Sequence, residues 1–173
     1  WKDLCHPLKL CVVRLPTNCG RASARNAGIK HSQGELLIFL DGDMTVAPGF
    51  LKAHGEMATQ KPLSVGIGNI RFSSTVRSDA MTRYMESRGV GQNWQEEVPF
   101  KCFVTGNSSL PRSLLVKSGC FDENFTAYGG EDLELGFRLN SLGAKFFVVE
   151  KAISFHGHVR TLQETCNLMY TYG

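Results

Sequence analysis

The chain has 173 residues with ordinary shares of apolar and charged side chains, enough for one domain with a substantial core. Its formal net charge of +3 is too small to indicate a nucleic-acid or membrane-surface ligand. No apolar stretch approaches the roughly 20 residues that a membrane-spanning helix needs. Because Trp1 is not a natural start residue, we expect the chain to be part of a longer protein.

The first part of the sequence predicts alternating strands and helices. A short strand at 10–13 precedes an alanine-rich helix at 21–31 and a strongly apolar strand at 35–40. The crossover in such a unit implies parallel pairing of its two strands. Pro48 suits the first turn of a second helix at 49–59.

The rest of the sequence continues the same alternation and contains no repeat, linker or low-complexity tract, so we predict a single α/β domain over 1–173. Gly143 ends the most strongly periodic of these helices, and Thr161 with Glu164 forms a capping box. The predicted elements are a strand at 63–67, a helix at 79–88, a polar loop at 89–99, a strand at 100–105, helices at 111–117 and 131–142, strands at 145–149 and 152–155, and a helix that begins at Thr161.

A first acidic site lies directly after the most apolar run of the chain, where Asp41, Gly42 and Asp43 follow the strand at 35–40. A continuous apolar run is typical of a strand buried on both faces, and ligands of open α/β sheets bind just outside the carboxyl ends of such strands. Two carboxylates at that point can hold a hard divalent cation, which can then carry a diphosphate. The alternative is an ordinary Asp-Gly turn at a strand end.

A second acidic site is the segment from Tyr128 to Asp132, in which Gly129 and Gly130 precede Glu131 at the start of a helix. The glycines allow a sharp turn and close approach of the backbone to a ligand. Acidic residues also favour helix N-termini because of the macrodipole, which is the alternative explanation. Neighbouring helical residues point about 100° apart, so one acid can serve as general base while the other holds the backbone or an acceptor.

Three further features stay open between a site and ordinary structure. Thr105, Gly106 and Asn107 suit a loop that lines a substrate, or a plain turn. His156 and His158 fall on one side of an extended strand, where either could join Asp43 at a metal or could be a structural histidine.

The six cysteines form no C-x-x-C pair or dense framework, so we expect buried free thiols in a reducing compartment. A zinc site built from Cys5, His6, Cys11 and Cys19 is the alternative, although the spacing fits no ribbon or finger. Glycosylation acceptor patterns begin at Asn107 and at Asn124, and they keep a secretory-pathway location open.

Several separated motifs together resemble family 2 glycosyltransferases with the GT-A fold. Each motif is weak alone, but their shared order is specific. The motifs are the segments 20–28 (GRASARNAG), 35–43 (ELLIFLDGD), 105–107 (TGN), 119–123 (GCFDE) and 128–139 (YGGEDLELGFRL).

The resemblance implies a GT-A (Rossmann-like) α/β fold with a mixed, mostly parallel sheet flanked by helices. It implies that Asp41 and Asp43 bind the divalent metal, Mn²⁺ or Mg²⁺, and the diphosphate of a UDP-sugar. Asp132 matches the general base of inverting members, and Glu131 supports it. The other implied roles are nucleotide binding by Arg25 and Asn26, donor contacts by Thr105, Gly106, Asn107 and Gly130, and metal ligation by His156 or His158.

Departures from related groups sharpen this prediction. Retaining polypeptide N-acetylgalactosaminyltransferases have Asp-x-His and Asn where this chain has Asp43 and Asp132, so the resemblance favours inversion. The family's first strand, helix and second acidic strand end, which hold the uracil base, do not precede Trp1. We therefore expect a fold that is incomplete at its N-terminus and transfers sugar poorly as an isolated fragment.

The predicted function is a metal-dependent inverting glycosyltransferase that moves a sugar from a nucleotide-sugar donor to a hydroxyl of a glycan or other acceptor. The alternatives are an inactive sugar-nucleotide-binding or assembly module of the same fold, and a nucleotidyltransferase, for which no glycine-rich basic phosphate loop is visible. We expect a cytoplasmic location with membrane association through parts outside this chain, or the Golgi lumen as an alternative, and no nucleic-acid partner.

Overall fold

The computed structural model describes residues 9–76, 79–88, 96–157 and 160–172. Six helices and six strands alternate along this part of the chain. The strands are β1 Leu36–Leu40, β2 Met44–Val46, β3 Val65–Phe72, β4 Glu97–Val98, β5 Asn107–Pro111 and β6 Phe146–His156. The helices are α1 Gly20–His31, α2 Phe50–Gln60, α3 Ala80–Arg88, α4 Arg112–Lys117, α5 Glu131–Ser141 and α6 Leu162–Tyr172, with a 3₁₀ turn at Phe100–Cys102.

The strands form one mixed sheet in the order β1-β5-β3-β6-β2, and β4 pairs with the start of β6. The longest ladder is the parallel one between β3 and β6. β5 runs antiparallel to both of its neighbours, β1 and β3, so β1, β3 and β6 all point the same way. The predicted α/β class, with a mixed sheet flanked by helices, is confirmed.

Helices cover both faces of the sheet, as the alternation along β3 shows. An ideal Cβ on Gly66 would meet the methyl of Met57 in α2, whereas the next residue, Ile67, belongs to the larger core cluster on the opposite side. That larger cluster takes its buried side chains from α1, α4, α5 and the central strands. The smaller one joins α2 to Val149 and Ala152 of β6.

The prediction of a strand at 10–13, paired in parallel with the strand before Asp41, is wrong. Leu10, Val12 and Val13 are exposed, and residues 9–15 form neither helix nor strand. A strand exists only when a neighbour completes its hydrogen-bond ladder, and the described residues offer this segment none. For the same reason β1 is the last strand of the sheet order and pairs with β5 alone, so its predicted burial on both faces is limited to Leu37.

Two other strand predictions are also corrected. The apolar segment 100–105 contains the 3₁₀ turn and a loop, because the side chain of Phe103 enters the core from irregular backbone. The strands predicted at 145–149 and 152–155 are the single strand β6, whose ladder with β3 shifts register between Gly68 and Asn69.

The predicted helices are confirmed to within two residues at their ends. At the last helix, the backbone N–H of Thr161 donates to Glu164 Oε2 at 2.7 Å and the backbone N–H of Glu164 donates to Thr161 Oγ1 at 3.2 Å. This reciprocal pair is the capping box. Across the described residues, the helices are all too short or too polar to cross a bilayer.

The cysteines differ from the prediction of buried thiols. Cys11, Cys19 and Cys166 are free and exposed, while Cys102 and Cys120 are free and half-buried. Their burial was overestimated because the segments around 11 and 19 and the last helix lie at the surface. Cys5 and His6, two members of the alternative zinc set, lie outside the described residues.

Leu139→Ala tests how strongly α5 anchors the core. Leu139 is fully buried and Leu142, at the end of the same helix, is 39% exposed. We expect Leu139→Ala to lower the free energy of unfolding by about 2–5 kcal/mol, because it leaves a cavity. Leu142→Ala is the matched control and should cost clearly less. Equal losses for the two variants in urea unfolding would contradict this assignment of the core.

Candidate active site

The two aspartates of the first acidic site lie in the turn between β1 and β2. The backbone N–H of Asp41 donates to the carbonyl of Gly106 at 3.2 Å, and the N–H of Met44 donates to the carbonyl of Asp41 at 3.2 Å. These bonds close the turn and fix it to the start of β5. Both carboxylates remain exposed, as expected of groups that meet a ligand at a strand end.

His156 joins these aspartates from the end of β6. It lies opposite Met44 in the β2–β6 ladder, which brings its Nδ1 to 3.7 Å from Asp43 Oδ2. One ligand atom from each of Asp41, Asp43 and His156 falls within 4.8 Å of the others. No other group of three or more such ligands occurs in the part of the chain that the structure describes.

The residues present fit a divalent cation. The Nδ1 atom of His156 is buried and has no hydrogen-bond partner in the described structure, which is costly for a polar atom unless a ligand satisfies it. Two carboxylates and one imidazole form a donor set that suits Mn²⁺ or Mg²⁺. Of the two histidines carried from the sequence, His158 lies outside the described residues, so the geometry concerns His156 alone.

The second acidic site is built on a glycine turn. Gly129 and Gly130 have φ of +92° and +89°, a region that L side chains rarely adopt. A Cβ on Gly130 would also stand 2.8 Å from the ring of Phe125. The turn therefore requires glycine for its own conformation, and it directs the first residues of α5 toward α1.

Glu131, the first residue of α5, is only 3% exposed. Its Oε1 accepts from Arg25 Nη1 at 2.8 Å, and Arg21 Nη1 lies at 3.5 Å. A carboxylate this deeply buried needs a cation beside it. Glu131 therefore ties α1 to α5 and is less accessible to a substrate than its neighbour.

Asp132 is held by two different parts of the chain. Its Oδ1 accepts from Arg25 Nη1 at 3.2 Å and from the hydroxyl of Thr105 at 3.0 Å, and its Oδ2 accepts from the backbone N–H of Thr105 at 3.2 Å. Burial raises the pKa of Asp132 above its ordinary value, and nearby Glu131 adds to the rise, although Arg25 and Thr105 oppose it. The result is a positioned carboxylate with a higher proton affinity than an exposed aspartate.

The loop at Thr105, Gly106 and Asn107 connects the two acidic sites. Thr105 binds Asp132, and the next residue, Gly106, binds the backbone of Asp41. A Cβ on Gly106 would lie 3.1 Å from Asp41 Oδ2, so glycine keeps this approach open. Asn107 is fully buried and its side chain enters the core, which rules out its use as a glycosylation acceptor in the folded protein.

The residues expected to line a nucleotide pocket have protein partners as well. Asn26 donates to the carbonyl of Phe121 at 2.9 Å and accepts from the Phe121 N–H at 3.0 Å, which fixes α1 to the loop before α5. Arg25 is engaged by Glu131 and Asp132 as described. Nothing in the geometry brings Asn26 to either carboxylate cluster.

Sequence reasoning gave no role to Arg21 and Tyr128, which extend the second site. The guanidinium of Arg21 stacks over the Tyr128 ring at 3.9 Å, and that of Arg160 lies 5.9 Å from the same ring. A signal existed, since Arg21 and Arg25 are four residues apart and therefore share one face of α1. Their common partner Glu131 lies 106 residues beyond Arg25 and could not be identified from spacing.

Comparison with known proteins gives the family. The model of glycosyl transferase family 2 matches residues 2–121, and that of the N-terminal domain of galactosyltransferase matches residues 87–162. Because the first match covers more than half of it, the chain belongs to glycosyl transferase family 2. The resemblance drawn from the ordered motifs is confirmed.

Two curated relatives are bacterial polysaccharide synthases. Chondroitin synthase of Escherichia coli is 26% identical over 166 residues, which cover 78% of this chain and 24% of that protein. Hyaluronan synthase of Pasteurella multocida is 27% identical over 183 residues, which cover 86% of this chain and 19% of that protein. The chain thus spans less than a quarter of the length of either relative.

Solved structures share the fold. GalNAc-T7, crystallised with UDP, GalNAc and Mn²⁺, gives a TM-score of 0.63 at 16% identity, over 84% of this chain and 32% of that one. Staphylococcus aureus TarS 1–349 in complex with UDP-GlcNAc gives 0.66 at 18% identity, over 91% of this chain and 45% of that one. At these identities the likeness is one of fold, and it confirms the predicted GT-A fold.

Asp43→Ala tests the cation site. We expect Mn²⁺ to strengthen UDP binding to the unaltered protein and to lose at least ~tenfold of that effect in the variant, because the cluster loses one of its two carboxylates. Calorimetric titration of UDP with and without Mn²⁺ measures this directly. Glu150→Ala, which removes an exposed acid of β6, is the control. An unchanged Mn²⁺ effect in Asp43→Ala would remove this residue from the site.

Proposed function

We propose that the protein is a metal-dependent inverting glycosyltransferase that moves a sugar from a UDP-sugar to a hydroxyl of a glycan or other acceptor. The observation that carries this proposal is the placement of Asp132. Its carboxylate is bonded to Thr105, and the adjacent residue Gly106 is bonded to Asp41 of the cation cluster. A proton acceptor and a diphosphate anchor are therefore linked through one short backbone segment.

The cation cluster serves the donor in this proposal. Asp43 and His156, with Asp41 beside them, would hold Mn²⁺ or Mg²⁺, which supplies charge neutralisation for the departing nucleoside diphosphate. The rigid turn between β1 and β2 keeps the two aspartates at fixed separation, so little reorganisation is needed when the donor binds. The UDP complexes of the solved neighbours support this choice of donor.

Asp132 serves the acceptor. Its carboxylate takes the proton of the acceptor hydroxyl while that oxygen forms a bond to the anomeric carbon of the donor sugar. The bond from the anomeric carbon to the diphosphate breaks on the opposite face, so the anomeric configuration inverts. The raised pKa of Asp132 strengthens it as a base, and the Thr105 bonds aim it.

Glu131 supports this base without replacing it. Its burial and its bond to Arg25 leave little surface for an acceptor, so we assign it the role of holding Arg25 beside Asp132. The nucleotide contacts of Arg25 and Asn26, and the donor contacts of Gly106 and Gly130, stay predictions from the family motifs. So do the location of the protein and the identity of donor sugar and acceptor.

The alternative of an inactive sugar-nucleotide-binding or assembly module remains the direct competitor. Such a module needs neither a proton acceptor nor a glycine turn that holds it. The structure keeps both, with Asp132 bonded and Gly129 and Gly130 in a conformation that suits glycine. Hydrolysis of a UDP-sugar by the complete protein, absent from an inactive module, separates the two.

Asp132→Asn tests the base. The amide keeps the shape and loses the ability to take a proton, so we expect turnover to fall about 10²–10⁴-fold in the complete protein. UDP binding in the presence of Mn²⁺ should stay close to normal. Glu150→Gln, the same change at an exposed position of β6, should leave turnover unaltered. Turnover close to normal in Asp132→Asn would exclude it as the base.

Thr105→Val tests how the base is tuned. Activity requires the deprotonated carboxylate, so kcat/KM falls as the pH drops through the raised pKa of Asp132. The Thr105 hydroxyl stabilises the charged form, and its removal should shift the acidic limb of the pH profile to higher pH. Thr105→Ser keeps the hydroxyl and should keep the limb in place. A limb that is unmoved in Thr105→Val, or moves equally in both variants, contradicts this account.

A further inference from the structure

A chain of buried polar side chains lies beneath the sheet, away from both acidic clusters. It consists of His54 from α2, Asn107 and Ser109 from β5, and Ser154 from β6, all four fully buried. We call these residues the His54 network. No substrate can reach them without unfolding, and an apolar core would fill the same space at lower desolvation cost.

The hydrogen bonds of the network run in one consistent direction. Asn107 Nδ2 donates to the carbonyl of Ala152 at 2.8 Å and to Ser154 Oγ at 2.9 Å. Its Oδ1 must therefore accept from His54 Nε2, which lies at 3.0 Å. His54 Nδ1 then accepts from the Ser109 hydroxyl at 2.8 Å. Burial lowers the pKa of His54, so the ring is neutral and this pattern is complete.

Asn107 spans an entire strand to make these contacts. β5 and β6 are not neighbours, because β3 lies between them. The side chain of Asn107 crosses β3 at Gly68, where an added Cβ would stand 2.0 Å from Asn107 Oδ1. The absence of a side chain at this position of β3 is therefore what allows the crossing.

The two ends of this crossing are the two supports of the cation cluster. On one side, Gly106, which precedes Asn107, holds the backbone of Asp41. On the other side, Ser154 lies two residues before His156 on β6. Because the cross-link joins these supports inside the core, it fixes how far the aspartate turn stands from the histidine.

We propose that Asn107, oriented by His54, is a positioning residue that sets the separation of the aspartates from His156 and thereby the affinity of the site for its cation. The inference rests on the proposed cation site. It replaces the donor contact expected of Asn107 from the sequence. Groups of this kind behind metal ligands change metal affinity by about 10–100-fold when they are altered.

Gly68→Ala is the direct test, because it displaces the Asn107 side chain without altering any ligand or network residue. We expect Mn²⁺ affinity, followed by electron paramagnetic resonance of the free ion, to weaken about tenfold or more. Gly55→Ala in α2 is the matched control, since no atom lies within 4 Å of the added Cβ and the site is next to His54. The control should bind Mn²⁺ like the unaltered protein.

A second comparison separates positioning from loss of stability. Leu115→Ala opens a cavity in the other core cluster and destabilises the fold without touching the network, so its Mn²⁺ affinity should be normal at temperatures where it is folded. In an Asn107→Ala background, adding Gly68→Ala should weaken Mn²⁺ binding no further. If Gly68→Ala does not fold, Ser154→Ala, which removes one acceptor of Asn107, takes its place with the same expected direction.

The outcomes distinguish this inference from the proposed function. Failure of the unaltered protein to bind Mn²⁺ overturns the cation site and with it both proposals. Normal Mn²⁺ binding by folded Gly68→Ala, or by folded Ser154→Ala where that variant is used, overturns the role of Asn107 alone. Equal weakening in Leu115→Ala would also overturn it, because the effect would then follow stability.

Discussion

The burial of the Glu131 carboxylate is the constraint on which the arrangement of the site depends. A charge that is 3% exposed persists only with a cation in contact, and Arg25 of α1 supplies it at 2.8 Å. Removing one member of such a pair typically costs about 3–5 kcal/mol. The pair therefore holds α1 against the start of α5, and α1 leads through a short connection into β1 and the aspartates beyond it.

The same guanidinium also reaches Asp132, so one cation serves a structural and a functional carboxylate. Glu131 is enclosed, whereas Asp132 lies toward the loop at Thr105 and has a raised pKa. Two adjacent acids thus divide the work because successive residues of a helix point in different directions. In the proposed reaction Asp132 acts on the acceptor, and the aspartates after β1 act on the donor.

Local patterns predicted much of this fold. The helices α2 to α5 followed from periodicity and from their glycine or proline boundaries, and the Asp41 turn followed from its position after an apolar strand. Predictions failed where the outcome depended on distant residues. Residues 10–13 have strand propensity but no partner among the described strands, and Phe103 is buried from a loop.

Asn107 shows why the motif alone could not assign every site residue. In the sequence it belongs to a polar Thr-Gly-Asn loop beside a site, which suits a ligand contact. In the structure it is the first residue of β5, and the alternation of that strand turns its side chain toward α2. Its partners His54 and Ser154 lie 53 and 47 residues away, so the sequence offers no local sign of them.

The stereochemistry of transfer tests the central claim most directly. The complete protein would be supplied with a UDP-sugar of α configuration, Mn²⁺ and an acceptor, and the anomeric configuration of the first-formed glycoside would be read by NMR. A single displacement with Asp132 as base predicts a β-glycoside. An α-glycoside would contradict the account, because retention requires a mechanism that this arrangement of Asp132 and the cation cluster does not provide.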